Sequence, residues 1–131
     1  MKIMQYVLYL FALLFVASGI FAVLPWPTVQ SFMQWSGNIT YPDDAIVVYT
    51  LRSFLLITVW IGVLIFFVAR DPAAHGQTAL VLAGMFLSAA VFCFVLGTRY
   101  GLPDFFYFDV ISSAVLGVVL LAYRRCAMAA K

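Results

Sequence analysis

Arg52, Arg99, Asp104 and Asp109 place charge inside stretches that are otherwise almost wholly apolar, and Tyr49, Tyr107 and Ser112 lie close to them in the chain. The segment LGTRYGLPDFFYFDVISS, residues 96–113, carries three of the four charges among aromatic residues. An arginine and a carboxylate in apolar surroundings can do three things. They can pair, they can hold a polar or anionic group, or the carboxylate can move a proton while the cation tunes its pKa. Helical spacing favours a shared polar face: Asp109, Ser112 and Ser113 follow i, i+3, i+4, and Gly117 continues the stripe. Ala45, Tyr49 and Arg52 repeat the same spacing upstream. The hydroxyls of Tyr49 and Tyr107 can donate to a charged pair or to a ligand.

The elements that must position these residues follow from composition. The chain has 131 residues, 66% hydrophobic and only 9% charged, and its mean hydropathy is +1.12. A soluble domain takes roughly a quarter of its residues as charged, and this chain cannot supply that surface. Four apolar runs, 3–24, 45–69, 77–98 and 105–123, are each long enough to cross a bilayer, which needs about 20 helical residues. The expected fold is all-α: one polytopic membrane domain, 1–131, built as an antiparallel bundle of four transmembrane helices. The first run also resembles a signal peptide with Lys2 as its basic region, but its apolar span exceeds the usual 7–15 residues. Its end at Leu24 and Pro25 makes a poor cleavage site, so it reads as the first membrane helix.

Lys2, Arg70, Arg124, Arg125 and Lys131 fall on one side if four helices alternate. The positive-inside rule then puts both termini in the cytoplasm, and Asp43, Asp44 and Asp104 at the outer surface. Basic residues at helix ends rather than in a patch argue against nucleic acid. Arg52 and Asp109 come out at similar depth, roughly 7–10 Å below the outer helix ends at 1.5 Å per residue. Charge there is costly in lipid, so each is expected to face the interior and to seek the other. Arg99 and Asp104 lie nearer the surface. Tyr49, Arg52, Arg99, Tyr107, Asp109 and Ser112 are thus the expected ligand-binding residues, in a pocket walled by Trp26, Trp60, Phe105, Phe106 and Tyr107.

The remaining features read as structure. Asp43 and Asp44 suit a helix start, where a carboxylate caps free N–H groups. The segment from Thr28 to Asp44 is polar-leaning, with Val29, Phe32, Met33 and Trp35 suited to a short amphipathic turn on the membrane surface. Asn38-Ile39-Thr40 matches a glycosylation sequon, informative only on a eukaryotic secretory route. Arg70 and Pro72 close the second helix. His75 is the only histidine and lies in that connection without partners for zinc or a triad, so no metal or cofactor is expected. Cys93 and Cys126 fall toward opposite sides and form no C-x-x-C. Small-xxx-small pairs at Ser18/Ala22, Gly84/Ser88 and Ser113/Gly117 mark expected helix contacts.

Arg52 near the start of the second helix, the break ARDP at 69–72, the GLP entry at 101–103, the early acid Asp109 and the terminal YRR at 123–125 together resemble the DoxX-like four-helix membrane superfamily. Within it, the pattern is similar to a group of small bacterial proteins of unknown function. The likeness spans residues 1–125. It implies a four-helix bundle in a bacterial inner membrane, and a family linked to redox accessory roles and partner assembly.

Three functions are in contention. The first is a binding or accessory protein whose outer-leaflet pocket takes a membrane lipid or other lipophilic molecule such as a quinone or isoprenoid, in a homo-oligomer or larger membrane complex. Aromatic walls with a few convergent polar groups suit it. The second is an enzyme acting on such a molecule, with Asp109 as acid or base; an arginine neighbour would hold that carboxylate ionised, which disfavours proton donation. The third is a minimal oligomeric transporter; four-helix multidrug exporters rely on an acid in the first helix, usually glutamate, and this chain has no glutamate and no acid in its first span. The expected Arg52–Asp109 pair has a direct test. Replacing either residue alone should cost about 3–5 kcal/mol of stability by orphaning a buried charge, and replacing both should recover much of it, read as thermal unfolding in detergent.

Overall fold

The structure, a computed structural model, describes residues 2–101 and 105–129. The GLP entry at Leu102–Pro103, Asp104, Lys131 and the side chains of Phe105 and Phe106 lie outside the described residues. The helices are α1 (Lys2–Ser18), α2 (Ile20–Val23), α3 (Trp26–Gly37), α4 (Ala45–Arg70), α5 (Gly76–Tyr100) and α6 (Phe105–Ala129). No strand occurs among the described residues. Four segments are long and apolar enough to span a bilayer: Lys2–Val23, Ala45–Arg70, Gly76–Tyr100 and Tyr107–Ala129. Only 17–28% of the most apolar window of each is buried inside the protein. The rest presents leucine, isoleucine, valine and phenylalanine outward, a surface that suits acyl chains and not water. The chain is an all-α, multi-pass membrane protein.

Two compact units divide the packing: Met1–Phe11 with Leu64–Lys131, and Ala12–Val63. In the first, Leu8, Ile65, Val68, Leu116 and Leu120 are completely buried. α5 and α6 run antiparallel: Arg124 Nε donates to the Gly76 carbonyl at 2.9 Å, Gly117 lies against Leu87 and the Ala83 carbonyl, and Gly97 faces the Tyr107 ring. The most telling polar contact is at the end of α4. Its last turn leaves carbonyls without intrahelical donors, and Pro72 brings no N–H to the chain beyond it. The Ala69 carbonyl there accepts from Gln5 Nε2 and from the buried Tyr123 hydroxyl, both at 2.9 Å.

In the second unit the first span packs against α4 with opposite direction. Gly62 sits against the Ala12 carbonyl and the Phe15 side chain, and Gly19 against Val59. Arg52, Leu55, Val59 and Gly62 follow i, i+3, i+7, i+10, the spacing of a seam between two helices. The first span is not one continuous helix. It breaks at Gly19, whose N–H bonds the Val16 carbonyl three residues back, and Ser18 Oγ likewise turns to the Phe15 carbonyl at 2.7 Å. The expected short turn at 29–35 is a 12-residue helix, α3. Pro27 lies in its first turn, and Asn38 ends it at φ 51° in the left-handed region that asparagine tolerates. Gln34 brackets that end, donating to Asn38 Oδ1 and accepting from Thr40 Oγ1, both at 2.6 Å.

Two further expectations are corrected. α6 runs on to Ala129, because Tyr123, Arg124 and Ala127 still have protein to pack against or bond. Gly84 and Ser88 are exposed, with nothing within 4 Å of where a Gly84 side chain would begin. The buried face of α5 is instead Ala79, Leu82, Ala83, Phe86, Ala90 and Gly97. The two glycines make a paired test. Gly62→Ala forces a methyl onto the Ala12 backbone and should lower stability by about 1–3 kcal/mol. Gly84→Ala meets open space and should be neutral or stabilising by up to about 1 kcal/mol. Thermal unfolding in detergent reads both.

Candidate functional site

The expected site residues divide between the two units: Tyr49 and Arg52 in Ala12–Val63, Arg99, Tyr107, Asp109 and Ser112 in the other. Each group has its own local geometry.

Arg52 is half-buried on the α4 face that meets the first span. Its Nη2 donates to the Leu24 carbonyl at 3.1 Å. That carbonyl closes α2, where the chain turns out of the helix into extended backbone at Leu24 and Pro25. A cation at a helix C-terminus also meets the negative end of the helix dipole. The partner is a backbone oxygen that no side-chain inventory would list. Two side-chain donors of this unit are left without acceptors. Arg52 Nε and Trp26 Nε1 are both shielded from solvent and have no hydrogen-bond partner among the described residues. Leaving such a donor unpaired costs about 1–3 kcal/mol each.

Tyr49 does not join Arg52. It is 73% exposed, because residues three apart on a helix still differ by about 60° around its axis, and Arg52 takes the seam. Trp60, expected as a wall, is 70% exposed and lies one residue off the seam position Val59. An open cleft of about 360 Å³ lies along the neighbouring face of α4, lined by Tyr41, Ile46, Val47, Thr50, Leu51 and Phe54. Gln30 Nε2 fixes the Tyr41 carbonyl at 3.1 Å beside it. Asp44 has the capping role: its Oδ1 accepts the Ile46 N–H at 2.7 Å.

In the other unit, the Tyr107 ring covers Gly97 and meets Phe94 nearly edge-on, with centroids 6.3 Å apart. A side chain at position 97 would begin 3.7 Å from that ring, an ordinary van der Waals contact, so this seat does not itself require glycine. Arg99 is exposed, its guanidinium 6.0 Å from the ring of its neighbour Tyr100. Asp109 is exposed, and Ser112 Oγ donates to the Asp109 backbone carbonyl at 3.2 Å, not to its carboxylate. The inward stripe on α6 starts lower, with half-buried Ser113 and buried Leu116 and Gly117. Asp109, Ser113 and Leu116 share one face at i, i+4, i+7, so that face passes from exposed to buried with distance along the helix and not by rotation around it.

His75 precedes α5 with its ring 6.0 Å from Phe67. Cys93 and Cys126 are free and exposed. Among the described residues no three of His, Cys, Asp and Glu come together as a metal site. Polar residues missed by the spacing argument are Gln5 and Tyr123, which cap Ala69, one of the last-turn carbonyls that the end of α4 at Arg70 leaves without an intrahelical donor. Comparison with family models, curated proteins and solved structures returns no match.

Proposed function

We propose that this chain is a small binding or accessory protein of a bacterial inner membrane that holds a lipophilic molecule at the end of its spans opposite the basic residues. The observation that carries the reading is the open cleft on α4, apolar along Ile46, Val47, Leu51 and Phe54 and edged by Tyr41 and Thr50. A cleft of this kind suits an acyl or isoprenoid chain with one polar end. The DoxX-like resemblance agrees with an accessory role. Binding ranks ahead of catalysis because the acid of the enzyme reading, Asp109, is exposed and the Ser112 hydroxyl bonds its own helix. Exposed Gly84 and Ser88 on α5 would let a second copy or another subunit approach closely.

Two experiments test the reading. Mass spectrometry of protein purified in mild detergent should find a retained lipid, quinone or isoprenoid. Thr50→Trp, which fills the cleft, should remove most of it without lowering the unfolding temperature. Equal retention by that variant would move the ligand elsewhere. For orientation, the basic ends at Lys2, Arg70, Arg124 and Arg125 support cytoplasmic termini. Reporter fusions after Lys131 and within residues 28–44 should therefore report opposite compartments, and a periplasmic C-terminus would overturn this topology.

A further inference from the structure

We infer that the cleft between the α4–α5 connection and the last turns of α6 binds the phosphate of an anionic membrane lipid, gripped by Arg124. This site shares no residue with the α4 cleft and goes beyond the reading above. It is open, has a volume of about 400 Å³ and is lined by Ala73, Ala74, Gly76, Gln77, Arg124 and Met128, all within Leu64–Lys131. Local chemistry shapes it. α4 ends at Arg70 ahead of Pro72, Asp71 Oδ1 accepts the Ala74 N–H at 3.0 Å and holds the turn, and α5 begins at Gly76. The antiparallel return of α6 brings Arg124 to that turn, where its Nε donates to the Gly76 carbonyl at 2.9 Å.

That single bond positions the guanidinium and leaves its charge free. Arg124 is half-buried, makes no other hydrogen bond and has no carboxylate within 4.0 Å among the described residues. Its two terminal nitrogens keep the planar fork that matches two oxygens of a phosphate. No other lining residue is charged, so the cleft as a whole is cationic. Gly76 and Gln77 open α5, whose N-cap His75 supplies no side-chain bond. Their N–H groups and the helix dipole add to the pull of the arginine.

The surroundings favour a lipid over a soluble anion. Gln5 bonds Ala69 and so brings Lys2 to the same end, which also carries Arg70 and Arg125. Among the described residues Asp71 is the one acid there, and it is occupied with Ala74. This positive charge lies where apolar spans meet water, the level of lipid phosphates. Ala73, Ala74 and Met128 give the cleft apolar walls for the glycerol and the first acyl carbons.

The test titrates the purified full chain, in neutral detergent, with phosphatidylglycerol, with diacylglycerol of the same acyl chains, and with inorganic phosphate. Unfolding temperature and bound lipid by native mass spectrometry are read together. Phosphatidylglycerol should bind and stabilise, with the other two at least about tenfold weaker. Gln77→Glu is the deciding variant. It keeps the size of an exposed side chain, puts a carboxylate into the lining that Arg124 shares, and suits the first turn of α5. It should fold as stably as the parent without lipid, yet weaken phosphatidylglycerol about tenfold. Arg124→Lys keeps the charge, loses the fork and should weaken it comparably; if that variant does not fold, Gln77→Glu alone decides. Arg125→Gln, an exposed neighbour outside this cleft, should change little, and an equal loss there would mean charge attraction alone and overturn the site. Equal binding of diacylglycerol overturns the phosphate grip, and equal binding of inorganic phosphate overturns the lipid as its source. Gln77→Glu indistinguishable from the parent overturns the site. Loss of phosphatidylglycerol in Thr50→Trp but not in Gln77→Glu would place the lipid in the α4 cleft instead, overturning this inference while leaving the earlier reading intact.

Discussion

In hydrocarbon a backbone carbonyl without a donor costs several kcal/mol, and every helix leaves such carbonyls at its C-terminal end. Much of the sparse polar chemistry in this chain is arranged around that cost. The Ala69 carbonyl receives Gln5 and Tyr123, drawing the start of α1 and the late part of α6 to the end of α4. The Leu24 carbonyl receives Arg52. At the opposite kind of terminus, Asp44 accepts the free Ile46 N–H of α4. These few contacts fix which side chains sit at the helix ends, where an apolar surface alone gives no direction.

Between the ends, association depends on how closely backbones approach, since lipid offers no hydrophobic drive between helices. Gly62 lets the first span and α4 meet at backbone distance while Gly19 admits the Val59 side chain, and Gly117 brings α6 to the α5 backbone. A glycine contributes this only where a partner arrives. Gly84 has the same spacing to Ser88 as Ser113 has to Gly117, yet it faces open space. The small-residue pattern therefore marks faces able to pack, and the neighbouring bulk decides which do.

The charged residues follow the same logic of local supply. Arg52 is held by a carbonyl in its own unit, with donors to spare. Asp109 lies exposed one turn above the point where α6 begins to bury its inward face. The α4 cleft, in turn, is lined mainly by apolar side chains, with Tyr41 and Thr50 at its edge.

The sequence by itself determined the number of spans, the lengths of the first three to within a few residues, the helix stop before Pro72 and the cap at Asp44. Each of these follows from local composition: a long apolar run must be helical in lipid, proline has no N–H, and aspartate accepts from a helix start. It also marked Arg52 as a residue needing a partner. What it did not contain was the partner. Leu24 is apolar in any alphabet of side chains, and its carbonyl becomes an acceptor only when the helix ends and α4 lies alongside. The same holds for Ala69 with Gln5 and Tyr123, and for the choice of Gly117 over Gly84 as a contact. Only the tertiary structure decided these, because backbone groups are identical at every position and packing alone selects which are left exposed to need a donor.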